Sequence, residues 1–306
     1  MEAPQLHIVV YHYVRDLPRT RFPRIKGMLT SDFRAQVSAL KSRFEMASLE
    51  SALAFLQGRY SPASDLCLLT FDDGLKEHYT EATTLLSELG VQGLFFVITG
   101  CLEERFVAPV HMNHFLMASL GFEKYHTAFR EQLNGHTPRL DPERAAVTYP
   151  WDTPDVAAFK YLFNFQLATG ERDDIVRRLF SQCLGNEKEF AESLYVSWEE
   201  AVRMQSAGMI IGGHSHAHHP LSRLSGKALE NDLDRCRALL ASRLKTQQCW
   251  PFCYPYGKKD SFSEETVRVL ERNGFACSFT TETGPNRPGV DLFSINRVDC
   301  KCAPLA

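Results

Sequence analysis

The chain has 306 residues, 44% of them hydrophobic, and a formal net charge of -3. That length and apolar content support one large core or two smaller ones without disulfide staples. The mild acidity and the lack of a long basic run exclude nucleic-acid or acidic-membrane binding as the default.

The first apolar stretch, Leu6 to Tyr11, reads as a buried strand; it is too short for a signal peptide or a spanning helix, and no cationic segment precedes it. The expectation is a cytoplasmic protein with no integral membrane segment. Residues 31–43 read as an amphipathic helix capped by Ser31, and residues 48–58 as a second helix with a serine cap. Residues 66–70 form an apolar strand, 79–89 a helix closed by Gly90, and 91–99 another buried strand. Later come a helix over 197–207 closed by Gly208, a strand over 209–212 and a helix over 225–244. A short strand over 250–254, a helix over 263–273 closed by Gly274 and a strand over 276–280 follow. Short buried strands alternating with amphipathic helices predict a parallel α/β architecture. Residues 101–195 break this rhythm with aromatic-rich helical patterns, such as 111–120 and 157–167, and a Pro-containing connector. They read as a helical insertion within a single domain spanning 1–306.

Nine cysteines, scattered and odd in number, argue against a disulfide framework. They read as reduced, mostly buried thiols. A structural zinc site across Cys249, Cys253, Cys300 and Cys302 is the alternative.

Two clusters carry chemistry. In Thr70-Phe71-Asp72-Asp73-Gly74, adjacent carboxylates stand where a buried strand ends. Unpaired buried charge is strongly unfavourable, so the pair needs a cation, a proton or a strong donor. Neighbours on an extended chain point to opposite sides, so one acid can bind a metal while the other stays free for proton transfer. The second cluster is Gly212-Gly213-His214-Ser215-His216-Ala217-His218-His219, directly after a predicted strand. His214 and His218 with Asp73 give a two-His, one-carboxylate set that leaves a position for water. A solvated histidine-rich loop is the bland reading, and it weakens beside the acid pair. The turn Pro255-Tyr256-Gly257 is a weak signal alone.

Together these residues resemble the polysaccharide deacetylase family, the NodB-homology domain of carbohydrate esterase family 4. Thr70 to Gly74 match its first motif, His214-Ser215-His216-Ala217-His218 its His-Ser/Thr-x-x-His motif, and Pro255-Tyr256-Gly257 its third, all in family order. The similarity spans residues 6–100 and 197–299. It implies an α/β fold of the distorted (β/α) barrel type, expected with seven strands. It also implies a divalent ion, zinc first, with cobalt, nickel and iron(II) accepted by the same ligands. By the resemblance, Asp73, His214 and His218 bind the metal, Asp72 is the general base, and the backbone N–H of Tyr256 helps hold the oxyanion.

His219, followed by Pro220, is the alternative to His218 as ligand, and the alignment of Leu221-Ser222 favours His218. His216 reads as a residue behind the ligands or an exposed one. Two departures stand out. Cys253 occupies the place where many relatives carry an arginine that orients the base, and the Leu-x-His motif that supplies a general acid is missing, since no histidine follows His219. His12 is the candidate acid, at the same rim after the first strand; similar Tyr-His pairs open some relatives. A core or rim histidine is the competing reading. His111 and His114 sit on one helix face, as part of a lid or as plain packing. Arg297 and Asp299 line the site or form a structural ion pair.

The expected function is metal-dependent removal of an N-acyl group, N-acetyl first, from a sugar or sugar conjugate in surface-glycan metabolism. A metal-dependent amidase or deformylase on a non-sugar amide is one alternative. A non-catalytic glycan-binding relic is the other.

Overall fold

The structure, a computed structural model, describes residues 3–133 and 139–304; residues 134–138 of the expected insertion lie outside the described residues. The chain divides into two compact units. The first comprises Met1–Asp16, Gly27–Glu104 and Glu192–Ala306; the second comprises Leu17–Lys26 and Arg105–Ala191.

The first unit is built on a parallel sheet. Its strands are β1 (Leu6–Tyr11), β2 (Glu45–Met46), β3 (Leu66–Phe71), β4 (Gly93–Val97), β5 (Ile210–Gly213), β6 (Trp250–Cys253), β7 (Phe275–Phe279) and β8 (Val298–Asp299). Seven strands follow the order β7-β6-β5-β4-β3-β1-β8, and the two-residue β2 pairs with β3 off that path. Every pairing is parallel. The two ends of the path are bridged by one segment. Ile295 pairs with Phe279 of β7, and directly after Asn296 and Arg297 the chain pairs with β1 as β8. This is a distorted (β/α) barrel, with seven strands along its path as the resemblance implies.

Strand patterns explain the burial. All six residues of β3 and all five of β4 are buried, as expected for a sheet covered on both faces. Phe71 and Phe95 stack across β3 and β4 at 4.5 Å, and Tyr11 stacks on Phe71 at 5.1 Å. Each such ring contributes about 2–3 kcal/mol by burial. Gly212 is required by close packing, because a Cβ there would sit 2.6 Å from the Pro251 carbonyl oxygen.

Helices follow most strands. Ser48, Ser197 and Ser263 each cap a helix with a reciprocal capping box. Ser31 does not: the helix begins at Thr30, Leu29 holds the cap position, and Ser31 lies inside the first turn. The helix expected from residue 79 opens instead as a π-helical turn, His78–Thr83, continuing as Thr84–Leu89 and closing on Gly90 at φ 64°. The Thr83 hydroxyl donates to the His78 carbonyl at 2.7 Å, which satisfies an acceptor the widened turn exposes.

The second unit is helical. Pro109–Leu120, Pro142–Thr148 and Pro154–Tyr161 each start with a proline, which suits the first helical turn. Phe159 packs edge-on against Tyr125 and Phe129 at 5.5 Å each. Residues 17–26 belong here: the Arg24 Nε donates to the Ala118 carbonyl at 2.7 Å. His111 and His114 sit on Pro109–Leu120 with ring centroids 6.1 Å apart, and His111 is buried. Among the described residues, no helix is long and apolar enough to cross a membrane.

Candidate active site

Parallel strands bring their C-terminal ends to one rim, where sites in such folds gather. β1 delivers His12, β3 delivers Asp72 and Asp73, β5 delivers His214, and β6 delivers Cys253 and the turn at Tyr256. The chain turns sharply at these ends. Asp73, Ser215, His218 and Tyr256 all have positive φ, at 82°, 62°, 58° and 65°. Such φ values are uncommon for residues other than glycine and mark positions that the surroundings enforce.

Asp73, His214 and His218 converge. The Nε2 atoms of His214 and His218 lie 3.5 and 3.4 Å from Asp73 Oδ1 and 3.2 Å from each other. All three residues are buried. A tetrahedral ion with bonds of about 2.0–2.2 Å places its ligands about 3.3–3.6 Å apart. Three lone-pair donors at such spacing repel one another unless a cation or proton lies between them. The donor set therefore fits a divalent ion. The Nδ1–H of His214 donates to the Cys253 carbonyl at 2.8 Å, which fixes its tautomer and aims the bare Nε2 at Asp73. Burial favours the neutral His214 ring, but Cys253, Asp73 and Asp72 around it outweigh burial and raise its pKa. An incoming ion then competes with a proton.

Asp72 points elsewhere. Arg297 grips it with a two-pronged pair, Nη1 to Oδ1 and Nη2 to Oδ2, both 2.7 Å. Arg297 is 1% exposed and its donors are all engaged in place: Nε donates to the Thr280 carbonyl at 2.7 Å, Nη1 also to Thr70 Oγ1 at 3.2 Å, and Nη2 also to Cys253 Sγ at 3.0 Å. The Cys253 thiol donates to Asp72 Oδ2 at 3.4 Å. Burial alone would raise the Asp72 pKa; the Arg297 guanidinium overrides it and holds the group at about 2. Burial likewise raises the Cys253 thiol, against the pull of Arg297.

Position 253 thus lacks an arginine, and the guanidinium on Asp72 comes from residue 297 instead. Asp299 does not join it; its side chain accepts the Lys301 N–H at 2.9 Å and caps a short turn. His12 lies on the open side of Asp72, its Nε2 3.9 Å from Oδ2 and its side chain 44% exposed. Its main-chain carbonyl accepts from His78 Nε2 at 2.9 Å, and burial lowers the His78 pKa to about 4, so that ring is a neutral donor. The Tyr256 ring packs beside His218 at 5.1 Å.

His216 is buried, with Nδ1 3.1 Å from Thr99 Oγ1 and Nε2 3.0 Å from Glu104 Oε1. His219 is not part of the donor cluster found among the described residues. All nine cysteines are free, and no cluster of the described residues gathers Cys249, Cys253, Cys300 and Cys302. Asp232 does not stand out in the sequence, yet its carboxylate accepts the N–H groups of His216 and Ala217. A signal for it was present: Asp232 is an acid on the apolar face of its helix, beside Leu229, Leu233 and Cys236.

Comparison with known proteins shows the family and the fold. The profile of the family described as polysaccharide deacetylase matches residues 59–140 and 168–278. The chain belongs to the polysaccharide deacetylase family. Among solved structures, it is similar to the deacetylase PplD of Streptococcus pyogenes in complex with acetate, at 15% identity and TM-score 0.60, covering 97% of this chain and 93% of that one. It is also similar to IcaB of Ammonifex degensii, at 21% identity and TM-score 0.56, covering 97% and 92%. A de-N-acetylase from Aggregatibacter actinomycetemcomitans aligns at 13% identity and TM-score 0.58, covering 98% and 97%. Comparison with curated proteins returns no match.

Proposed function

We propose that this chain is a divalent-metal hydrolase that removes an N-acyl group, N-acetyl first, from a sugar or sugar conjugate. The observation that carries the reading is the division of labour between adjacent acids. Asp73 faces two imidazole nitrogens at 3.4 and 3.5 Å, while Asp72 is held by Arg297. Asp73, His214 and His218 hold the ion, with zinc first among zinc, cobalt, nickel and iron(II). Such an ion, when bound, polarises an acyl carbonyl and lowers the pKa of water towards about 7.

The chain's own groups do the rest. Asp72 accepts the proton of the attacking water. Arg297 keeps it ionised and fixes its orientation, so it is available as an acceptor throughout the neutral range. The main-chain N–H of Tyr256 donates to the acyl oxygen as charge develops there, an interaction worth roughly 3 kcal/mol for one well-placed donor. The leaving amine needs a proton, and His12 supplies it. His12 is the exposed titratable side chain beside Asp72, and His78 braces its main chain.

Acetate, which the Streptococcus pyogenes neighbour holds, is the product this chemistry releases. A nucleotide-linked or lipid-linked sugar of surface-glycan synthesis is the substrate we favour, in the cytoplasm. Nine free cysteines suit a reducing compartment.

The test is acetate and formate release from nucleotide-linked, lipid-linked and oligomeric N-acetyl amino sugars, with non-sugar amides alongside. Release from an acetylated sugar that stops on chelation and returns with added zinc supports the reading. Release from non-sugar amides alone transfers it to an amidase, and silence of the metal-loaded protein on every substrate overturns it.

A further inference from the structure

The loop that carries His214 and His218 is conformationally costly. Ser215 and His218 both adopt left-handed φ, at 62° and 58°. Each such residue without glycine's freedom costs about 1 kcal/mol or more. A loop with two of them persists only if something outside it fixes its backbone.

Two sets of hydrogen bonds from neighbouring helices do so, and one bond within the loop adds to them. The N–H groups of Thr99 and Gly100, at the start of the helix Thr99–Glu104, donate to the carbonyls of Ser215 and His216 at 3.2 and 3.0 Å. The His218 N–H donates back to Ser215 Oγ at 2.8 Å. Asp232 completes the set from the helix Lys227–Arg243: Oδ1 accepts the His216 N–H at 2.9 Å and Oδ2 the Ala217 N–H at 3.0 Å. Asp232 is 7% exposed, and both its oxygens are directed at consecutive amides lying between the two imidazole-bearing residues. Main-chain donors to a carboxylate form the stronger class of hydrogen bond. A single side chain therefore holds both amides of the span between the two imidazole-bearing residues, whose Nε2 atoms lie 3.2 Å apart.

We propose that Asp232 is a positioning residue for the metal centre. It touches no ligand side chain, yet it sets the separation of His214 and His218 and hence the affinity for the divalent ion. This rests on the metal reading given above. Outer partners that orient ligands typically change metal affinity by about 10–100-fold when removed.

The test compares wild type, Asp232→Asn and Asp234→Asn by zinc titration against a chromophoric chelator, with thermal melts of each metal-free protein. Asparagine keeps the shape of Asp232, but its amide NH2 faces one of the two N–H groups and loses that bond. Asp234 lies on the same helix and bonds Asn273 instead, so it controls for the chemical change. The expected result is zinc affinity about 10–100-fold weaker for Asp232→Asn, and unchanged for Asp234→Asn. A residue that only stabilises the fold lowers the melting temperature and leaves the affinity of the folded protein alone. Equal zinc affinity for wild type and Asp232→Asn overturns this inference and spares the metal reading; absence of zinc binding by wild type overturns both. Amide hydrogen exchange of the wild type reads the clamp without any variant. Protection at His216 and Ala217 in the metal-free protein is expected, and exchange there at the rate of open chain overturns the proposal.

Discussion

Arg297 and Asp72 form a buried, two-pronged ion pair between residues 225 positions apart, with both N–O distances at 2.7 Å. The guanidinium reaches Asp72 from the segment that bridges the two ends of the sheet, just before β8. Lysine carries the same charge but lacks the planar fork. Arg297→Lys is therefore expected to keep the protein folded and to lower kcat/KM by about 10- to 100-fold, because a loosely held base misses its geometry. Arg297→Ala leaves a buried carboxylate without its partner and is expected to cost about 3–5 kcal/mol of stability. Steady-state kinetics with thermal melts checks both, and wild-type kcat/KM in the lysine variant would refute the positioning role.

Asp72→Asn separates proton transfer from metal binding. The amide retains the shape and one acceptor but takes no proton from water. Turnover is expected to fall by about 10²–10⁴-fold, the usual contribution of a general base. Zinc affinity is expected to stay within a few-fold, since Asp73, His214 and His218 are untouched. Acetate release and calorimetric zinc titration on the same preparation provide the check; unchanged turnover removes Asp72 from the base role.

What the sequence made legible was local. Asp72, Asp73, His214 and Tyr256 each follow a strand whose apolar run is visible, and a strand end fixes its next residues closely. The sequence offers Arg297 only as one of two candidates, with Asp299. The strand that follows it has two residues, too few for any periodicity to register, and its contact with Asp72 depends on how the sheet curls. β2 escaped notice for the same reason. The helix expected to start at Ser31 shows a different limit: Thr30 and Ser31 are both polar, and the cap position fell to Leu29. In the sequence Asp232 is one acid within the helix expected over 225–244, because nothing local reveals that its two oxygens meet a distant turn.

The ligand register is open to direct test. His218→Ala removes one of three donors and is expected to abolish tight zinc binding and activity together. His219→Ala is expected to leave zinc affinity within a few-fold, since His219 stands outside the donor cluster. Atomic absorption of dialysed protein distinguishes the two, and the reverse pattern would assign the ligand to His219.

In the helical unit, Asp152 bonds Lys26, and its Oδ2 lies 2.7 Å from the Lys160 ammonium. Burial pushes the Asp152 carboxyl up, but Lys160 and then Lys26 outweigh it and lower its pKa below the ordinary 3.8. A depressed carboxylate adds stability above its unfolded pKa and loses it as pH falls through the folded value. Asp152→Asn, which takes the carboxylate away from the largely buried Lys160, is expected to cost about 2–3 kcal/mol at pH 7. The gap between wild type and variant is expected to narrow as pH falls below 3.8 and to close only below the depressed folded value. Urea unfolding at pH 7, 5 and 3 measures it, and a gap as wide at pH 3 as at pH 7 contradicts the assignment.

Gly74 is where the acid pair turns away from β3. Its φ is 67°, and a Cβ there would lie 3.0 Å from Val97 Cγ1 and 3.3 Å from Val97 Cα. The second contact is with main chain at the end of β4, so the neighbour has no flexible end to move aside. Gly74→Ala adds the left-handed cost of about 1 kcal/mol to about 1–3 kcal/mol of overpacking. A destabilisation of about 2–4 kcal/mol is expected. Because Asp73 also sits at positive φ, 82°, one residue before the clash, the strain falls on the carboxylate that faces both imidazoles. Zinc affinity is therefore expected to drop along with stability, whereas Gly90→Ala, at φ 64° with open space around it and far along the chain from the acids, is expected to lose stability alone. Parallel melts and zinc titrations of the two variants decide the matter: equal zinc affinity in both shows that the turn at Gly74 serves packing and not the placement of Asp73.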